Sequence, residues 1–140
     1  MSNSIRAGVI GVGAIGKNHA RIYSELDHCE LAAVLDTDGD AAELVVAEYG
    51  GKVVSSLEEL CDCCDAVSVA TPTNSHRALG EALLEAGKHV LIEKPIADNT
   101  DDARALVELA SQRNCILQVG HIERFNPVMS ELEARLDNPR

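Results

Sequence analysis

The stretch Gly11-Val12-Gly13-Ala14-Ile15-Gly16 limits the fold more than any other part of this chain. It follows an apolar run, IRAGVI at 5–10, and leads into residues 14–26, where Ile15, Ile22 and Leu26 recur at helical spacing beside His19 and Tyr23. Each of the three glycines has its own physical use between a strand and a helix. Gly11 permits the tight turn, Gly13 lets the backbone approach a pyrophosphate, and Gly16 lets helix and strand lie close together. A second apolar run, LAAVL at 31–35, ends in Asp36, twenty residues after Gly16. Strand, glycine turn, helix, strand and acid in this order are the parts of a dinucleotide-binding unit. Its phosphates would meet free N–H groups at the positive end of the helix, with Val12, Ala14 and Ile15 completing the loop. Asp36 would accept hydrogen bonds from the ribose hydroxyls.

The rest of the chain repeats the alternation. Helix is expected over 40–49, ended by Gly50-Gly51, followed by a short strand at 52–54. Ser55-Ser56-Leu57-Glu58-Glu59 offers a capping box in either of two registers. Strands are expected at 65–70, 88–92 and 115–119, and helices at 74–86, from Thr100-Asp101-Asp102 to about 113, and from the Asn126-Pro127 cap onward. The strands are apolar on both faces, which is the pattern of a parallel sheet covered by helices on each side. The expected fold class is therefore α/β, a Rossmann-type doubly wound parallel sheet.

Composition narrows the partners. Hydrophobic residues make up 46% of the 140, but aromatics only 2%, so the core must be built from Ala, Val, Leu and Ile. The formal net charge of −11 argues against a nucleic-acid backbone or an anionic membrane as partner. Local amides can still hold a small anion. There is no apolar run of the ~18 residues that a membrane-spanning helix needs, and the start, MSNSIRAGVIGVG, has no signal-peptide pattern, so a cytoplasmic protein is expected. The five cysteines, Cys29, Cys61, Cys63, Cys64 and Cys115, lack zinc-site spacing and are expected to be free thiols without metal.

Two further segments carry chemistry. Thr71-Pro72-Thr73-Asn74 and His76 follow the strand DAVSVA at a carboxyl end of the sheet, where open α/β sheets bind ligands. Thr73 or Asn74 is also expected to cap the next helix. In KHVLIEKPIA at 88–97, the buried run Val90-Leu91-Ile92 stops on Glu93-Lys94-Pro95. Charges at the end of a buried strand are costly unless paired or used, and proline ends the ladder.

Together GVIGVGAIGKNHA, ATPTNSHRA, VLIEKPIA and VGHIERFNP resemble the Gfo/Idh/MocA oxidoreductases over nearly the whole chain, in the right order. The resemblance implies an NAD cofactor and a catalytic role for Lys94 beside the nicotinamide and the reacting sugar hydroxyl, with burial expected to support its part in proton relay. It also implies Glu93 near the cofactor, a cis bond before Pro95, and His121 near the nicotinamide end or the substrate, along with Arg124 and Asn126. VGHIERFNP looks most like the nucleotide-sugar branch, which includes 3-dehydrogenases of UDP-N-acetylglucosamine. By the same resemblance, residues 1–126 are the dinucleotide-binding domain, and 127–140 begin a crossover helix toward a second, substrate-binding domain that usually also forms the oligomer interface. The expected activity is hydride transfer between a sugar CH–OH and the nicotinamide, with a sugar or nucleotide sugar as substrate, a homo-oligomer at full length, and no turnover by these 140 residues alone. The competing class is a non-catalytic dinucleotide-binding sensor. The Glu-Lys-Pro segment separates the two, because a sensor needs no lysine at the nicotinamide.

Overall fold

The computed structural model describes residues 4–136. Six parallel strands form one sheet: β1 (Ile5–Ile10), β2 (Cys29–Leu35), β3 (Lys52–Val53), β4 (Ala66–Val69), β5 (His89–Ile92) and β6 (Leu117–Val119). Their spatial order is β3-β2-β1-β4-β5-β6. The chain starts in the middle, builds outward to one edge, then returns and builds to the other. That order reverses beside β1 and leaves a crevice at the carboxyl ends of β1 and β4, the Rossmann arrangement expected from sequence.

Helices cover both faces. One face carries α1 (Ala14–Glu25) and α2 (Gly39–Tyr49) over a core that includes Val9, Ala20, Leu31, Val34 and Val45. The other carries α3 (Leu57–Cys63), α4 (His76–Glu85) and α5 (Thr100–Arg113) over Ile10, Leu60, Val67, Val69, Leu83 and Ile92. Alternate strand residues serve opposite layers, which is why the strands read as apolar throughout. A last helix, α6 (Pro127–Arg135), is capped by Asn126, whose side chain accepts from the Val128 N–H. No helix among the described residues is long and apolar enough to cross a membrane.

Capping resolves the registers that the sequence left open. The Ser56 hydroxyl accepts from the Glu59 N–H, while the Glu59 carboxylate returns to the N–H and hydroxyl of Ser55, so both serines are used. At α5 the cap is Asn99 rather than Thr100. Asn99 has extended backbone and its side chain accepts from the Asp102 N–H. Strand β6 begins two residues later than expected because Asn114 takes the left-handed conformation and the Cys115 N–H turns back to Ala110. Neither Thr73 nor Asn74 caps α4. Residues Thr73–Ser75 form a 3-10 turn that runs straight into it. The five cysteines are unpaired, and Cys64 lies in the core, where burial pushes its thiol up to about 12.

Candidate functional site

Backbone hydrogen bonds just past the strand ends gather the candidate residues along one edge. Gly11 N–H reaches Leu35, Ala70 N–H reaches Ile10, Glu93 N–H reaches Val69 and Gly120 N–H reaches Ile92, all at 2.8–3.0 Å. Thus the glycine loop, Asp36, the Thr71 loop, the Glu-Lys-Pro segment and the loop at His121 share the carboxyl edge. Residues far apart in sequence meet there because every strand runs the same way.

The glycine loop has the form that phosphate binding requires. Gly11 has φ +81°, and a Cβ there would lie 2.8 Å from the carbonyl of Ala70. Gly16 touches the Gly11 carbonyl so closely that any side chain would collide with it. At Gly13, by contrast, a Cβ would meet nothing within 4 Å. Gly13 starts α1 without a side-chain cap, and the first turn carries no acid. Free N–H groups at a positive helix end beside open space fit a pyrophosphate. Asp36 is half-buried and grips the loop itself: one carboxylate oxygen accepts from Val12 N–H at 2.6 Å, the other from Asp38 N–H at 2.8 Å. Val12 is buried, Ala14 and Ile15 are exposed at the start of the helix, and Lys17 is committed to Glu48 at 2.7 Å.

Lys94 stands at the carboxyl end of β5, and its bond to Pro95 is cis. Its side chain is exposed, so the burial expected for it is not supplied by these residues. It lines a hollow of about 410 Å³ with His121, Ile122, Glu123, Arg124 and Met129. A larger hollow, of about 800 Å³, lies at the opposite end of the strands around Arg6, Asp65 and His89, away from this edge. Glu93 points inward, where one oxygen meets His19 Nε2 at 2.9 Å and the other accepts weakly from Lys94 N–H at 3.3 Å. A Cβ on Gly120 would fall 2.7 Å from the Glu93 carboxylate, so that glycine makes room for the acid.

His76 departs from its expected place. It is 1% exposed, with Nε2 2.8 Å from the Thr71 carbonyl and Nδ1 2.9 Å from the Pro95 carbonyl. The histidine sits behind the two loops rather than on the surface of the cleft. The Thr71 hydroxyl shares a hydrogen bond with Ser75, while Pro72 and Asn74 are exposed and Thr73 is half-buried. Sequence reasoning passed over His19, Tyr23, Ser68 and Gly120. A signal was present for three of them: His19 and Tyr23 are four residues apart on one helical face, and Ser68 is the polar residue in the buried strand DAVSVA.

A family model described as an oxidoreductase family with an NAD-binding Rossmann fold matches residues 5–121. The chain belongs to the Gfo/Idh/MocA oxidoreductase family. It is 40% identical over 137 residues to UDP-N-acetylglucosamine 3-dehydrogenase of Acidithiobacillus ferrooxidans, covering 97% of this chain and 43% of that enzyme. The solved structure of the same enzyme superposes with TM-score 0.89 at 38% identity, covering 96% of this chain and 42% of that one. GenD2 from gentamicin A biosynthesis, in complex with NAD, gives TM-score 0.92 at 28% identity, covering 98% of this chain and 40% of that one. KijD10, a 3-ketoreductase from Actinomadura kijaniata in complex with NADP and TDP-benzene, gives 0.90 at 30% identity, covering 96% and 42%. The chain therefore spans less than half the length of these relatives.

Proposed function

We propose that this chain is the cofactor-binding part of a dehydrogenase that uses NAD(H) to oxidise a CH–OH group of a sugar or nucleotide sugar. The observation that carries the reading is one edge with three parts: an open phosphate cradle at Gly13, a carboxylate at the end of β2, and an exposed lysine at the end of β5. A sensor would need the first two only.

The loop from Gly11 to Gly16 would hold the pyrophosphate through its N–H groups, and Asp36 would hold the adenosine ribose. Pro72 and Asn74, which are exposed, would border the same crevice with Thr71 and Thr73. His121, sharing a hollow with Lys94, would border the nicotinamide end or the substrate. Bound there, the dinucleotide supplies the hydride acceptor. Lys94 would hold the substrate oxygen and, as the neutral amine, take the hydroxyl proton as the hydride leaves carbon for the nicotinamide, the ammonium so formed passing that proton to water. Glu93 would orient that segment from within.

The reading favours NAD over NADP. Asp36 is followed by Thr37 and Asp38, with no arginine beside them, so a ribose 2′-phosphate would meet like charge. Similarity to the UDP-N-acetylglucosamine enzyme supports a nucleotide sugar as substrate. Residues 1–126 would form the dinucleotide domain and 127–140 the start of a crossover helix, with the substrate surface and oligomer contacts supplied by sequence like that of the relatives' remaining length.

Calorimetry of the 140-residue chain tests the first half, with saturable NAD binding expected and its absence overturning the reading. The second half requires a chain of the relatives' length. There Lys94→Met should remove most turnover of the UDP-sugar or inositol that the parent oxidises while NAD still binds. Near-normal activity in that variant, or turnover by the 140-residue chain alone, would place the chemistry elsewhere.

A further inference from the structure

The two residues flanking Lys94 are each tied to a histidine, half-buried His19 and buried His76, and the histidines come from opposite faces of the sheet. On the face covered by α1, the Tyr23 hydroxyl lies 2.5 Å from Ser68 Oγ, Ser68 Oγ lies 3.2 Å from His19 Nδ1, and His19 Nε2 lies 2.9 Å from Glu93 Oε1. A carboxylate only accepts, so Nε2 carries the hydrogen that points at Glu93. In the neutral ring Nδ1 then accepts from the Ser68 hydroxyl, which accepts in turn from Tyr23. Each hydroxyl and ring nitrogen has a partner in one consistent direction. Burial pushes the Tyr23 phenol up, which suits its place as the neutral donor at the start of the chain. His19 and Glu93 are 17% and 15% exposed, and Gly120 closes over the carboxylate.

On the other face, His76 in α4 lies between the carbonyls of Thr71 and Pro95. Both oxygens only accept, so the neutral ring, with one N–H, donates to one of them, and a tie to Pro95 requires that hydrogen on Nδ1. From Glu93 to Asn99 the chain has no regular structure, so the sheet's own ladder does not hold Lys94. A flexible lysine on an irregular loop is a poor hydrogen-bond donor to a reacting oxygen unless its backbone is held, because misplacement by about 1 Å can cost two orders of magnitude in rate. We propose that His19 and His76 are positioning residues, which grip Glu93 and Pro95 from the two sides of the sheet and so set where Lys94 presents its amino group to the reacting oxygen beside the nicotinamide. This rests on the dehydrogenase reading above.

The test compares NADH with ADP-ribose, which lacks the nicotinamide, by calorimetry on the 140-residue chain. The glycine loop and Asp36 hold the part common to both. His19→Ala should weaken NADH by about tenfold, equal to ~1.4 kcal/mol, because the released Glu93–Pro95 loop shifts against the nicotinamide, a change Lys94→Met does not make, and it should leave ADP-ribose within about twofold. His19→Gln should restore most of the loss, because its amide reaches the position of Nε2 and can still donate to Glu93. For His76 the order should be the reverse of side-chain size. His76→Asn keeps the Nδ1 position and the tie to Pro95, so it should be milder than His76→Gln, which keeps only Thr71. Equal loss of both ligands in His19→Ala, no loss of either, or Gln milder than Asn at position 76 would overturn the proposal. So would equal affinity of the parent chain for NADH and ADP-ribose. Failure of the parent to bind either ligand would overturn the dinucleotide reading and the proposal with it. A readout free of any ligand is the nitrogen-resolved NMR of the His19 ring, which should show the Nε2–H tautomer. The Nδ1–H tautomer would break the chain of donors.

Discussion

The carboxylate of Asp36 accepts a 2.6 Å hydrogen bond from the backbone N–H of Val12. The residue proposed to select the ribose is thus also a strut of the loop proposed to hold the phosphates. Asp36→Ala should weaken NAD by about tenfold or more, the scale of a lost hydrogen bond to a charged group. It should weaken NADP less, since the repulsion of a 2′-phosphate disappears together with the strut. Calorimetry with both dinucleotides checks this, and comparable or tighter NADP affinity in the unaltered chain would refute the preference for NAD.

Gly13 and Gly16 should separate binding from folding. Gly13→Ala meets open space at a negative φ in extended backbone, which other residues adopt, so the melting temperature should be nearly unchanged while NAD binding falls sharply. Gly16→Ala drives a methyl group into the Gly11 carbonyl. It should cost at least the ~1–3 kcal/mol typical of an overfilled interior and lower the melting temperature before any ligand is added.

Acid sensitivity should trace in part to Asp65. Hydrogen bonds from the Arg6 side chain and backbone hold its carboxyl down to about 2. The unfolded chain therefore takes up this proton at higher pH than the folded protein does. The stabilisation is complete above the ordinary carboxylate range and is lost as pH falls through that range toward about 2. Asp65→Asn should lower the denaturation midpoint modestly at pH 7, because the pair is largely solvated. The difference from the parent should close as the pH approaches 2.

Thiol labelling should be uneven. Cys64 is buried and its thiol is pushed up to about 12, so native protein should label at the other four cysteines and leave Cys64 slow. All five should react once the chain is unfolded in denaturant, and protein purified without added metal should carry no stoichiometric zinc. Rapid native labelling at Cys64 would contradict its place in the core.

Local chemistry is what the sequence by itself determined. Strand and helix alternation, apolar on both strand faces, specified a parallel sheet between helices, because burial on two sides leaves no polar stripe. The three glycines specified a tight turn, which a side chain at Gly11 or Gly16 would block, beside an open approach at Gly13, and Asp36 and Lys94 were visible because each lies where a buried run ends on charge. Cap positions were legible to within a residue at α3, α5 and α6, whereas α4 has no side-chain cap. Asn99 displaced Thr100 because amide side chains are the better caps, a preference available from the sequence alone.

Only the tertiary structure decided how the lysine is held. His19 and Glu93 are 74 residues apart, Ser68 and Tyr23 are 45 apart, and His76 reaches Pro95 across 19. No periodicity connects such residues, and a single histidine on an amphipathic helix has the same local pattern whether it faces solvent, lines a cleft or lies buried between two carbonyls. His76 was expected in the cleft and lies behind it. Its direction follows from the pitch of α4 and the packing of that helix against β4 and β5, not from its neighbours in sequence. Helix pitch and sheet order set which distant side chains share a buried space, and the cost of leaving a buried polar group unpaired then selects the partners they take.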